Sequence, residues 1–454
     1  MIIILKFAPF KKIITNIITM EKIKNRWLIA VSGVCVHLSI GSIYAWSKLG
    51  SMVEKQVVAD WSLQQITTVF SIAIFFLGVS AAFMGKVVEK KGPRFTGTIA
   101  AIFFGSGVFL GGLALNMENL YLLFATYGMI GGIGLGMGYV TPVSTMVKWF
   151  PDRRGLATGL AIMGFGLGAA LEIYLIKNIF PAFGITSIST ILMILGPVYG
   201  VIMLVASQYL EKPPVDWLPE GYNPDELEKS GKVVKKDLSN ITANESLKTA
   251  RFYFLWAILF INVTSGIALI SVANSMGREI VMLSVEAAAV LVMLMSMFNA
   301  FGRLGWSTLS DYIGRPATYI AFFVIQIAAF YYLTTFFGGD ISGAGKIAFQ
   351  VAFLIILTCY GGGFATVPAF IGDLFGTKEL GAIHGYILTA WALAGVIGPQ
   401  IISYLKDTTG SYQIALYYLI GFLFVGLLSS VLLILNMKKM RKQQIVDAEL
   451  KMAA

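Results

Sequence analysis

A single arginine inside an apolar segment is the residue of this chain best suited to bind an anion. Arg303 lies within the largely apolar stretch 283–309. An arginine at mid-bilayer depth costs roughly 2.5–3.5 kcal/mol on insertion scales, so it usually faces a cavity and has a function. Its planar fork of donors can hold both oxygens of a carboxylate, which lysine cannot do. The structural alternative is a guanidinium that reaches the inner headgroups near Asp311, roughly 12 Å along the helix.

Asn299 and several tyrosines add hydrogen-bonding capacity. Asn299 lies one turn before Arg303 on the same helical face, where it could hold the guanidinium, donate to a substrate or pack between helices. A tyrosine hydroxyl can donate to a carboxylate without adding charge. Four tyrosines lie in other apolar segments: Tyr44, Tyr139, Tyr360 and Tyr386. Tyr139 and Tyr360 flank glycine runs at mid-segment and rank first, since membrane-interface belts account for many tyrosines.

Two further charges are candidates for coupling. Glu172 lies near the outer end of its apolar segment, where it could pair with Lys177 at the interface or carry a proton. Lys48 closes the first segment on the outer side. It is either an interfacial lysine or a residue for outer substrate capture or charge coupling.

The sequence contains no ligand set for a metal, and no cofactor is predicted. Cys35, Cys359, His37 and His384 each stand alone in apolar segments. The cysteines are expected to pack as small apolar groups. His37 is expected to be hydrogen-bonded within the bundle, and no chemistry is expected of His384. The glycine-rich runs lack the following lysine that a phosphate loop needs.

The composition indicates a polytopic membrane protein. Of 454 residues, 57% are hydrophobic and 13% charged, with a mean hydropathy of +0.78. A membrane-crossing helix needs about 20 mainly apolar residues. Twelve such segments are predicted: 27–47, 64–85, 95–115, 120–147, 155–178, 186–208, 251–274, 285–309, 316–337, 346–368, 380–404 and 412–436.

The basic residues orient these segments. Of 34 lysines and arginines, twenty-seven lie on the face that carries both termini, six on the opposite face, and Arg303 lies inside. Cytoplasmic loops carry such an excess. The sequence therefore predicts a multi-pass protein of the cell membrane, with the lipid bilayer as its setting and both termini cytoplasmic. The charge of +10 reflects topology, so no nucleic-acid partner is expected, and the working unit is predicted to be a monomer.

The predicted segments form two sets of six around a polar linker. The domain prediction is a cytoplasmic N-terminal stretch at 1–26, six-helix bundles at 27–208 and 251–436, a cytoplasmic linker at 209–250 and a tail at 437–454. The linker contains four prolines and many charges. Met20 is as plausible a start as Met1.

The two halves repeat a charged loop. Glu89-Lys90-Lys91-Gly92-Pro93-Arg94 corresponds to Asp311-Tyr312-Ile313-Gly314-Arg315, and Pro142, Phe150, Gly155 and Gly159 correspond to Pro368, Phe375, Gly381 and Gly385. Internal repeats are typical of transporters with a substrate site between two bundles.

These loops resemble the signature loop of the major facilitator superfamily. The segments 40–46, 138–144, 148–159 and 386–391 more narrowly resemble the oxalate/formate antiporter family, with the animal monocarboxylate transporters as more distant relatives. The resemblance implies an all-α membrane protein with twelve transmembrane helices in two six-helix pseudo-symmetric bundles. It also implies that Glu89, Arg94, Asp311 and Arg315 latch the cytoplasmic side. Glu89 replaces the usual aspartate, and Ser307 replaces the usual glycine.

The resemblance also assigns residue roles. Arg303 occupies the position of the family's substrate-binding arginine, and the tyrosine-bearing spans line the cavity in this superfamily. Trp391 replaces a lysine that oxalate exchangers carry, so one central cation favours a monocarboxylate, with Trp391 as an apolar wall or an ordinary packing residue. Asn299 replaces an aspartate that monocarboxylate transporters use in proton coupling, and Lys48 matches a lysine of theirs.

The expected function is therefore secondary transport of a small carboxylate anion such as lactate, pyruvate, formate or acetate, by proton symport or anion exchange. A dicarboxylate exchanger of the oxalate/formate type, with Lys48 as second cation, is one alternative. A transporter-like carboxylate sensor without net flux is another, although the linker is short for a signalling domain. No catalytic cluster indicates an enzyme.

Overall fold

The computed structural model describes residues 23–57, 61–215, 217–224, 226, 237–337 and 341–453, and all regular secondary structure within them is helical. Both alternative start residues lie outside this part of the chain. Twelve helices within it are long and apolar enough to cross a membrane. They are α1 Arg26–Ala45, α2 Gln64–Lys91, α3 Pro93–Asn116, α4 Leu120–Trp149, α5 Arg154–Ala182, α6 Ile188–Tyr209, α7 Ala250–Ile280, α8 Val285–Ile313, α9 Arg315–Thr334, α10 Gly343–Phe375, α11 Leu380–Thr409 and α12 Tyr412–Asp447.

All twelve predicted spans are present, and several helices run further than their apolar cores. Helix α2 continues to Lys91, and α10 continues to Phe375. The extension of α2 carries charged residues such as Lys86 and Glu89, which hydropathy excludes from a span although the backbone remains helical. The proposed domain boundaries stay predictions. In the linker, a short helix spans Ala243–Ser246.

The two charged repeat loops have the same backbone shape. Gly92 and Gly314 have φ values of 86° and 88°, in the left-handed region that glycine adopts without strain. Each ends one membrane helix and directly precedes the next. The sharp turn returns the chain into the bilayer without a longer loop.

Small residues allow the two halves to pack closely. In one interface α2 lies against α11, with Gly78 next to Ala392; in the other α5 lies against α8, with Gly166 next to Ala300. Small residues permit such close helix approach in membranes. The second interface brings α8, which carries Arg303, into direct contact with α5.

Three spans depart from α-helical geometry. Helix α1 tightens to a 3₁₀ segment at Gly41–Ala45 and is followed by a short helix, Trp46–Gln56. Helix α4 widens to a π-helix at Phe124–Ile130, and α5 does so at Leu175–Ile179. Such segments frequently accompany functional sites.

Candidate functional site

Arg303 lies at the interface between the two halves. Its side chain is 1% exposed. Nη1 donates to the Ile162 carbonyl of α5 over 2.9 Å, and Nε donates to Oδ1 of Asn299 over 3.4 Å. Among the residues that the structure describes, no ion pair with aspartate or glutamate involves Arg303. The guanidinium is therefore held in place by neutral acceptors and keeps its charge uncompensated.

Aromatic rings surround the guanidinium. Its carbon lies 5.5 Å from the Phe165 ring centre and 5.8 Å from that of Phe364. The Trp391 ring lies 5.8 Å and 4.8 Å from the same two rings, so arginine and tryptophan share two walls. Tyr139 contacts Trp391, with 5.4 Å between ring centres. The arrangement combines one cation with an apolar enclosure, which suits a small organic anion.

Trp391 has a polar atom as well as an apolar surface. Its side chain is 1% exposed, and its Nε1 donor has no hydrogen-bond partner in the described part of the chain. A buried donor without a partner costs free energy, which a ligand oxygen would recover. The sequence-based interpretation of Trp391 as an apolar wall is therefore incomplete.

Two other predicted tyrosines border the arginine. The Tyr44 ring lies 5.1 Å from the Phe165 ring, and the Tyr360 ring lies 5.3 Å from the Phe364 ring, so each tyrosine packs on one of the walls beside Arg303. The Tyr360 ring packs against Gly266 of α7, where a Cβ atom would collide with it. Both hydroxyls thus belong to the same cluster as the guanidinium.

The structure adds four residues that sequence reasoning did not assign to the site. Phe165 and Phe364 form the walls, and both His37 and His384 are buried beside Tyr139. As expected, His37 is hydrogen-bonded within the bundle: Nε2 donates to the Tyr139 carbonyl over 3.1 Å. His384 lies near the centre, with its ring 5.9 Å from that of Tyr139. The only signal in the sequence was the occurrence of aromatic residues within glycine-rich segments.

Two predicted binding residues lie away from this cluster. Tyr386 lies toward the end of the bundle that carries the charged loops, where Lys86 Nζ lies 5.4 Å from its ring centre. Lys48 lies in the short helix Trp46–Gln56 beyond the outer end of α1. In this conformation the structure does not bring either of them to Arg303.

Glu172 lies inside the N-terminal half. Its side chain is 2% exposed and accepts a hydrogen bond from the Tyr199 hydroxyl over 3.2 Å, whereas Lys177 is exposed on the surface of the helix. Of the two alternatives for Glu172, the interfacial pair with Lys177 is not formed in this conformation, because α5 turns Glu172 toward α6.

At the end of the bundle that carries the two charged loops, Glu89 connects the halves. Its Oε1 accepts the backbone N–H of Gly381 over 2.9 Å at the start of α11, and Ser144 donates to the same oxygen over 3.0 Å. Lys148 and Lys212 form ion pairs with Oε2 at 2.5 and 3.4 Å. A carboxylate at a helix N-terminus is stabilised by the free N–H groups and the helix dipole.

Asp311 makes the reciprocal contact. Its two carboxylate oxygens accept the backbone N–H groups of Gly155 and Leu156 over 2.9 and 3.0 Å at the start of α5. Arg315 pairs with Asp311 at 2.6 Å and with Asp373 at 3.3 Å. Each half thus caps a helix of the other half, and the two caps close the end of the bundle that carries the charged loops.

The remaining predicted latch residue has a different partner. Arg94 pairs with Glu211 of the linker at 3.3 Å and lies on the surface. Sequence reasoning missed Arg154, which contacts Asp237 of the linker at 2.6 Å and Asp373 of α10 at 3.2 Å. The linker therefore takes part in closing this side.

Comparison with known proteins establishes the family. Residues 29–399 match the family model of the Major Facilitator Superfamily. The chain belongs to this superfamily. It is therefore a multi-pass membrane protein of a transporter family, with the all-helical fold that the sequence predicted.

Relatives of the chain include carboxylate carriers. The oxalate:formate antiporter of Oxalobacter formigenes is 28% identical over 379 residues, covering 82% of this chain and 83% of that protein. The apicoplast pyruvate carrier 1 of Toxoplasma gondii is 22% identical, covering 80% and 81%. Among solved structures, a variant of the E. coli fucose:proton symporter FucP superposes with a TM-score of 0.65 at 14% identity, covering 90% of this chain and 99% of that one. That likeness concerns the fold.

Proposed function

We propose that this transporter carries small monocarboxylate anions of the lactate, pyruvate, formate or acetate type by alternating access. The observation that carries the proposal is the charge of Arg303, which is buried with neutral acceptors and without a carboxylate among the described residues. An unpaired buried charge is costly, and a substrate carboxylate would compensate it. Asn299 positions the guanidinium, while the remaining N–H groups of Arg303 bind the anion.

The surrounding groups favour one negative charge and a short carbon chain. Phe165, Phe364 and Trp391 bring aromatic surface to the guanidinium, and Tyr44, Tyr139 and Tyr360 bring hydroxyl-bearing rings. The described cluster contains no second cation near Arg303, which disfavours a dianion such as oxalate. Relatives that carry oxalate and formate or pyruvate support a carboxylate cargo. We place the carrier in the cell membrane with both termini cytoplasmic and as a functional monomer.

The proposal is tested by counterflow of labelled lactate into liposomes that contain the purified protein, with formate, pyruvate, acetate and oxalate as competitors. We expect monocarboxylates to suppress the flux. Arg303→Lys should abolish it, since an ammonium cannot hold the carboxylate with two parallel bonds. Arg278→Lys, at an exposed outer position, is the matched control and should retain flux.

Unchanged flux in Arg303→Lys would make the arginine structural and remove the main support for the proposal. If oxalate competes best, the cargo is a dicarboxylate, and Lys48 becomes the next residue to replace.

A further inference from the structure

A buried carboxylate lies apart from the anion site. Glu172 of α5 is 2% exposed. The α5 residue that binds Arg303 is Ile162, ten residues away, which corresponds to roughly 15 Å of helix. The Arg303 site and the Glu172 site are therefore separate, and only the first is used in the proposed binding of the anion.

Hydroxyl-bearing side chains from three other spans lie near Glu172. Tyr199 of α6 donates to Oε2 over 3.2 Å. Ser42 of α1 is a further neighbour of the carboxylate, and its hydroxyl donates to the Ser39 carbonyl over 2.7 Å. Tyr127 of α4 is the next neighbour. In the described part of the chain no lysine or arginine forms an ion pair with Glu172, and Lys177 on the same helix is exposed. Burial among neutral groups favours the protonated carboxyl over the ion.

The helices packed against α5 carry titratable groups at both ends, and Glu286 of α8 and Lys346 of α10 lie in the first turns, away from the charged loops. His37 of α1 contacts Phe165, with 6.3 Å between ring centres. Arg303 and Asp311 of α8 contact α5 at Ile162 and at its first turn. None of these groups neutralises Glu172 directly.

The helices that form this cluster leave α-helical geometry beside it. Ser42 belongs to the 3₁₀ segment Gly41–Ala45, and Tyr127 to the π-helix Phe124–Ile130. The π-helix of α5 begins three residues after Glu172. Tight and wide turns have weaker regular hydrogen bonding and often mark functional hinges. The carboxylate therefore lies where three spans can rearrange.

The 3₁₀ segment also connects this cluster to the anion site. Tyr44 is two residues after Ser42, and its ring lies 5.1 Å from Phe165 and 6.4 Å from Trp391. With three residues per turn, residues 42 and 44 point in different directions from one backbone. Ser42, near Glu172, and Tyr44, near Arg303, therefore belong to one short backbone segment.

We propose that Glu172 is the proton-carrying residue, so that each monocarboxylate moves together with one proton. The inference rests on the proposed function. Glu172 takes a proton from the outer solution and holds it in the conformation with the cytoplasmic side closed. After the spans rearrange, the O–H bond of Glu172 breaks and the proton enters the cytoplasm. The carboxylate is protonated again from the outer solution once the carrier has returned to the conformation with the cytoplasmic side closed. One proton and one monoanion carry no net charge.

The test uses liposomes with the wild-type protein, Glu172→Gln and, as a matched control, Glu54→Gln at an exposed position. Two fluxes of labelled lactate are measured: accumulation driven by an acidic outer medium, and counterflow at equal pH. Glutamine imitates the neutral acid. Glu172→Gln should therefore retain counterflow and lose pH-driven accumulation, while Glu54→Gln retains both.

A second measurement does not depend on the cargo. The infrared difference spectrum between neutral and alkaline buffer should contain the carbonyl band of a protonated carboxyl group, and Glu172→Gln should lack it. Three results would overturn the inference. They are pH-driven accumulation that persists in Glu172→Gln, loss of both fluxes in this variant, and absence of the infrared band from the wild type. If the wild type moves no lactate, the proposed function fails, and the infrared band still decides whether Glu172 carries a proton.

Discussion

At the residue scale, selectivity depends on the charge near Arg303. Trp391 shares the Phe165 and Phe364 walls with the guanidinium. A cation at position 391 would give the site two positive charges in one enclosure. Such a site disfavours a monoanion and matches a dianion, because uncompensated like charges in a buried site are costly.

Trp391→Lys is therefore expected to shift the preference from lactate to oxalate by at least about tenfold, which corresponds to about 1.4 kcal/mol. Competition of the two anions in the counterflow assay measures this shift. Trp391→Leu removes the ring without adding charge and is the control. An equal gain for oxalate in both variants would show that space, not charge, sets selectivity.

At the scale of helices, contact between α5 and α8 depends on glycines. A Cβ atom at Gly155 would collide with the Ser307 carbonyl and lie 2.9 Å from Oδ1 of Asp311. Ser307, which replaces the usual glycine of the signature loop, is accommodated because its hydroxyl turns back to the Arg303 carbonyl over 2.5 Å.

Gly155→Ala is expected to separate the Asp311 carboxylate from the first turn of α5, reduce stability by about 1–3 kcal/mol and lower lactate flux several-fold. Gly305→Ala is the matched control on α8, since nothing lies within 4 Å of its Cβ. That change should be neutral or stabilising by up to ~1 kcal/mol. Thermal unfolding in detergent together with counterflow measures both effects, and a Gly155→Ala protein of wild-type stability and flux would contradict the role of this contact.

At the scale of the whole molecule, two carboxylates connect the halves at the end that carries the charged loops. Glu89 and Asp311 each cap a helix of the opposite half. Charge at a partly buried helix terminus is worth up to ~2 kcal/mol. Because the two caps are distinct contacts, their removal should act approximately additively.

The double variant Glu89→Gln with Asp311→Asn is expected to increase the population that is open at this end of the bundle. The measurement is maleimide labelling of Thr158→Cys, with the reagent added on the side of the charged loops. The Thr158 hydroxyl donates to the Ala365 carbonyl across the interface. Cys35 and Cys359 are replaced by alanine, so that only the new cysteine is labelled. Labelling should rise in each single variant and most in the double variant. Equal labelling in all of them would mean that other contacts, such as those of Arg154, keep this side closed.

Much of this molecule could be predicted from the sequence, because the relevant quantities are local. The apolar length of each helix and the charge of each loop are properties of consecutive residues, and they predicted twelve spans. Arg303 could be singled out because an isolated charge in an apolar segment has few explanations. The same local information ended helices such as α2 and α10 too early and left open whether Glu172 pairs with Lys177 or carries a proton.

Other features depend on which distant residues meet, and only the tertiary structure decided them. Phe165 and Phe364 come from opposite halves to enclose Arg303. Glu89 reaches the N–H of Gly381, a residue 292 positions away. Glu172 turns toward Tyr199, not toward the nearby Lys177. The sequence determined the spans, their expected orientation and the single central cation, since hydropathy and charge add along the chain. Helix rotation and packing between the halves determined each charge's partners, because side chains far apart in sequence become neighbours only after folding.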